Sequence, residues 1–168
     1  MIIDSDPTSS HFAQVIDGKI VINTARLDDY NSKLPEKDKI TLEKYIALQG
    51  IHEFAHLMLT QLQVSHSNLY FEMMSIMESY VKTSGDRSIW ETIKANKAYT
   101  SDFERYEEFI VRLIEKKFRE NLDTIFALSD DNVLESEINR LLRSGFGVFA
   151  NMTRVNPNST LKSLITDL

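Results

Sequence analysis

The chain has 168 residues, 42% of them hydrophobic and 26% charged, which is the make-up of a globular protein long enough for one sizeable core. The formal net charge is −6 and the charges are spread along the chain with no basic cluster, so a nucleic-acid backbone is an unexpected partner. There is no cysteine, which excludes disulfide frameworks and thiolate metal sites.

In chain order, residues 1–10 form a polar lead-in. The opening MIIDSDP has no basic segment followed by an apolar one, so no signal peptide is expected. No apolar run approaches membrane-spanning length, and a cytoplasmic location follows as the expectation. Residues 11–23 carry Asp17-Gly18, a strong hairpin-turn signal, and β-branched residues dominate the second arm. Strands are expected over 11–16 and 19–23, lying on helices because a two-stranded hairpin is marginal alone. Residues 24–39 are polar, contain Pro35, and hold a short helical turn around Ala25–Tyr30.

Thr41 is the expected N-cap of a long helix over 41–63. Gly50 lies inside it at a cost of about 1 kcal/mol relative to Ala, and close packing of the hairpin would explain it. Ser65–Asn68 breaks the pattern. A second helix over 69–83 is rich in Met and aromatics, among them Tyr70, Phe71, Met73, Met74, Met77 and Tyr80, and reads as ordinary core packing. Gly85-Asp86 ends it. A third helix spans 88–98 with Trp90 and Ile93. A fourth, over 102–120, is capped by Asp102 or Ser101 and shows Phe103, Tyr106, Ile110, Leu113 and Ile114 on one face.

Residues 121–129 continue that helix after a kink. Another helix over 132–143 follows Asp130 and Asp131, a turn at Gly145-Phe146-Gly147 ends it, and a loop around Asn156-Pro157 precedes a terminal helix over 159–167. No repeat, low-complexity tract or long linker divides the chain. The expectation is a single α+β domain, predominantly α-helical, with an N-terminal β-hairpin packed on a helical core. It comprises the lead-in, a hairpin and site helices over 11–118, and a C-terminal helical extension over 119–168.

The long helix contains His52-Glu53-Phe54-Ala55-His56, an H-E-x-x-H pattern. Residues at i and i+4 share a helix face, so the two imidazoles stand side by side and suit one Zn²⁺. Glu53 projects further round and is placed to take a proton from a metal-bound water rather than to ligate. At about 100° per residue, Leu48, Ile51, Phe54, Ala55, Met58, Leu59 and Leu62 make an apolar face, with the histidines on its shoulder. Tyr45, Ile46 and Leu57 fill much of the rest, so the helix is expected to be buried. Buried histidines and an acid are costly unless something pairs with them.

Such a site needs a third protein ligand and an open position for water. His66 lies in a loop, where histidines are usually solvated, and Glu72 and Glu78 fall on the flank of the second helix. On the fourth helix, with Phe103 at 0°, Glu107 falls at about 40°, inside the apolar face, while Glu104, Glu108 and Glu115 fall at about 100–140°, on its edge or outside. A carboxylate inside an apolar stripe wants a partner or a metal. Glu107 is therefore the preferred third ligand and Glu108 the fallback. An oxyanion helper would come from Tyr99, Tyr106, His66 or Arg112, and the sequence leaves that choice open.

His52–His56 with a Glu from a later helix resembles the zincin superfamily in its gluzincin arrangement. The segment YEEFIVRLI at 106–114 resembles the third-ligand helix of small intracellular gluzincins. The similar groups are the ImmA/IrrE-type peptidases and the zincin domains encoded by phages and mobile elements. Leu62 stands where a metzincin would carry its third His, which sets that branch aside. The resemblance covers roughly 11–118. It implies a zinc metallopeptidase with His52, His56 and Glu107 as ligands and Glu53 as general base. It also implies a peptide or protein substrate held along the hairpin edge. The alternative is a non-catalytic binding or assembly protein on the same scaffold, such as a phage or mobile-element accessory or virion subunit. Its acidic surface and C-terminal third would serve a protein partner. Neither reading calls for a nucleic acid or a membrane.

Overall fold

A computed structural model of the chain describes residues 1–83 and 86–127. The sequence-expected helices over 132–143 and 159–167, the turn at 145–147 and Gly85 lie outside the described residues. The protein is α+β and predominantly helical, with its strands at the N-terminus. Two compact units are present, Met1–Leu57 and Met58–Leu168, and their boundary falls inside one continuous helix.

The first unit opens with strands β1 (Ile2–Asp4), β2 (Ala13–Ile16) and β3 (Lys19–Asn23). The hairpin forms where its turn signal lies. Asp17 and Gly18 take φ of 50° and 70°, the left-handed pair that a two-residue turn of this twist requires. Val15 then faces Ile20 and Ala13 faces Ile22. Residues 11 and 12, expected in the first arm, precede the strand.

The polar lead-in holds a strand that the sequence reading did not include: β1 adds to the sheet in parallel with β3 and gives the order β1-β3-β2. It carried no local signal, since Ile2 and Ile3 are both about half exposed and the partner strand is distant in sequence. Side chains complete the join: Thr24 Oγ1 donates to Asp4 O at 2.8 Å and Asn23 Nδ2 to Asp6 O at 2.6 Å. A 3-10 turn over Thr24–Arg26 leads into α1 (Leu27–Ser32), near the expected helical turn.

Helix α2 runs Leu42–Ser65. Thr41 sits at its start, where Tyr45 N donates to Thr41 O at 2.9 Å. Within the first unit Ile22, Tyr45, Leu48 and Ala55 form the core. Tyr45 Oη donates to the backbone oxygens of Asn23 at 3.0 Å and Phe12 at 3.2 Å, locking hairpin to helix. Tyr30 stands edge-on between Phe12 and Tyr45.

In the second unit, α3 (Ser67–Thr83), α4 (Arg87–Ala95) and α5 (Asp102–Arg119) pack pairwise, and α6 (Leu122–Phe126) follows. The Met-rich face of α3 is core: Tyr70, Met73, Met74, Met77 and Val81 are buried, as are Phe109, Ile110 and Ile114 of α5, whereas Phe71 is 52% exposed. Trp90 stacks on Tyr106 at 5.4 Å and meets Phe109 edge-on. Ser101 caps α5 in a full capping box with Glu104, which settles the choice between Ser101 and Asp102. Among the described residues no helix is long and apolar enough to cross a membrane.

Candidate metal centre

His52 and His56 lie one turn apart on α2, with ring centroids 5.0 Å apart. One nitrogen of each imidazole and one carboxylate oxygen of Glu108 all lie within 4.8 Å of one another. Ligand atoms around a tetrahedral zinc stand roughly 3.3–3.5 Å apart, given bonds of about 2.0–2.2 Å. Two imidazoles and a carboxylate are also the donor set that leaves a fourth position for water, so the residues fit the ion in chemistry and in number.

The carboxylate in this group is Glu108, the sequence fallback, and not Glu107. Glu107 instead accepts a hydrogen bond from Tyr70 Oη at 2.5 Å. The reason lies in the wheel's origin. The wheel centres its apolar face on Phe103, yet that residue is 48% exposed. Helix α5 enters the core near residue 108 and is buried around most of its circumference from there to Phe118. Position along the helix, not angle alone, therefore decides which acid is desolvated. One sequence signal did separate the two acids. Glu108 has Arg112 at i+4, the spacing of a helical ion pair, whereas Glu107 has Val111 there.

Glu108 is 2% exposed, and an isolated carboxylate there would be very costly. Arg112 Nε donates to its Oε1 at 2.7 Å. Tyr99 also hydrogen-bonds to Glu108 and Arg112. Burial, followed by the neighbouring Glu108 charge, pushes the Tyr99 hydroxyl up to about 12, so it remains a proton donor at neutral pH. Beside Glu108 a cleft of about 250 Å³ opens between α4 and α5, walled by Ile89, Ile93, Tyr99 and Arg112.

The remaining sequence candidates fall elsewhere. Tyr106 is engaged by Trp90. His66 is exposed and its Nδ1 bonds with Ser65 Oγ at 2.9 Å. Glu78 pairs with Lys82, and Glu72 is not in the group. Of the four proposed oxyanion helpers, Tyr99 and Arg112 border Glu108. Glu53 is half-buried on α2, one residue from His52. The helix is less enclosed than its composition suggests, since Phe54 is 41% and Val64 79% exposed. Comparison with protein-family models, curated proteins and solved structures found no match.

Proposed function

We propose that the protein is a zinc-dependent peptidase of gluzincin type, with His52, His56 and Glu108 as metal ligands and Glu53 as general base. The observation that carries this reading is the donor group made by His52 and His56 of the H-E-x-x-H helix with Glu108 of α5. Zinc held there would polarise the scissile carbonyl and make its water acidic. Glu53 removes the proton from the attacking water and delivers it to the leaving amine. Arg112 and Tyr99 hold the Glu108 carboxylate. The outer edge of β2, which pairs only with β3 among the described residues, offers an extended peptide a strand to join. Action in the cytoplasm, and origin in a phage or mobile element, belong to the same proposal.

The test is Glu53→Gln. The variant should retain about one zinc per chain by elemental mass spectrometry and lose cleavage of a denatured protein substrate by roughly three orders of magnitude or more. Cleavage at the wild-type rate would refute the mechanism.

A second reading, a non-catalytic binding or assembly protein, is favoured by one observation. Phe71 and Phe103 meet edge-on at 6.0 Å while remaining 52% and 48% exposed, an apolar pair of the kind protein partners cover. A protein partner engaged through the C-terminal third belongs to the same reading. A stable complex that shows no proteolysis would favour this reading over the first.

A further inference from the structure

Two acidic side chains are buried among the described residues, Glu108 at 2% exposure and Glu115 at 4%. They lie seven residues apart on α5, two turns along nearly one face. Arg112 stands between them and divides its donors: Nε bonds Glu108 Oε1 at 2.7 Å and Nη1 bonds Glu115 Oε2 at 3.2 Å. Arg119 Nη2 then bonds the other oxygen of Glu115 at 2.9 Å. The outcome is a ladder on a single helix, Glu108–Arg112–Glu115–Arg119. The proposed peptidase chemistry leaves Glu115 and Arg119 without a role.

We propose that Arg112 is a positioning residue for the metal ligand Glu108, and that Glu115, braced by Arg119, fixes the Arg112 guanidinium in place. The inference rests on the metal-centre reading above. A carboxylate has two oxygens. The bond from Arg112 Nε to one of them restricts rotation about the terminal bond of Glu108 and so sets the direction in which the carboxylate faces. Glu115 matters because a guanidinium held at a single point can swing, whereas one held by two carboxylates cannot. Lysine carries the same charge but offers no planar fork to bridge two acids. Second-sphere partners of this kind typically set metal affinity by a factor of 10–100.

The experiment uses the full chain: wild type, His52→Ala, Arg112→Lys and Glu115→Gln, each titrated with zinc against a chromophoric chelator. The visible absorption of Co²⁺ bound in place of zinc and the urea midpoint of the metal-free protein are recorded alongside. Arg112→Lys keeps a cation beside the acids and is the variant chosen to fold. The expected result is roughly 10–100-fold weaker zinc binding in Arg112→Lys, a smaller loss in Glu115→Gln, and an altered Co²⁺ spectrum in both. A merely structural ladder would lower the urea midpoint while leaving zinc affinity and the Co²⁺ spectrum at wild-type values, and that result would overturn the inference while leaving the metal centre standing. Wild type that binds no more zinc than His52→Ala would overturn both together.

Discussion

Tyr70 donates its hydroxyl to Glu107 while Arg112 donates to Glu108, so these adjacent acids on α5 accept from different donors. Glu107 serves a neutral donor at the border of the core. Glu108 sits fully inside, where a cation or an ion must accompany it. Glu107→Gln should keep its zinc and lose about 1 kcal/mol of stability, because an amide oxygen still accepts from Tyr70. Glu108→Gln should lose most of its zinc. Elemental analysis beside urea unfolding checks the pair, and equal zinc in both variants would remove Glu108 from the ligand set. At this scale the side-by-side placing of His52 and His56 was legible in the sequence, since their relation is one helical turn and needs no tertiary knowledge. The sequence did not show which of the two glutamates is buried, because burial on α5 varies along the axis, which no helical wheel records.

Element boundaries followed local chemistry closely. The Asp17-Gly18 turn, the Thr41 start of α2 and the Ser101–Glu104 capping box all lie where short-range hydrogen bonding places them. Gly50 is a different matter. Close packing was the expected reason for a glycine within α2, but a Cβ built there would meet Met1 Sδ at 3.6 Å and Ile22 Cδ1 at 3.8 Å, which is ordinary contact. Gly50→Ala should therefore stabilise the protein by up to about 1 kcal/mol and raise Tm by roughly 2–4 °C. Thermal unfolding of the single variant decides it, and a lower Tm would show that α2 needs the bare backbone. Strand β1 is the element the sequence missed. Its parallel partner β3 lies beyond β2 in the chain, so nothing in its three residues announces it.

Across the whole molecule, buried tyrosines tie stability to alkaline pH. Burial, with Tyr30 beside it, pushes the Tyr45 hydroxyl up to about 12, and burial together with Glu107 raises that of Tyr70. An unfolded tyrosine ionises near pH 10. The folded form thus holds its proton more tightly, and the associated stability is fully present below about pH 10. It is lost as pH rises through about 12. The urea midpoint should hold steady from neutral pH to about pH 10 and fall between about pH 10 and 12. Tyr45→Phe should reduce that fall, while costing stability at neutral pH through the lost bonds to Asn23 and Phe12. A midpoint unchanged to pH 12 would mean that these hydroxyls are solvated in the folded state.

The sequence by itself determined the α+β class, the hairpin, the order of helices to residue 127 and the paired histidines with their intervening acid. Each of these rests on interactions between residues a few positions apart: a two-residue turn, an i,i+4 face, a cap. Only the tertiary structure decided that β1 joins the sheet, that Glu108 is the acid grouped with the histidines, and that Tyr99 and Arg112 attend it. Those outcomes depend on which surfaces lose water when distant segments pack, and desolvation is a property of the assembled fold rather than of any local stretch.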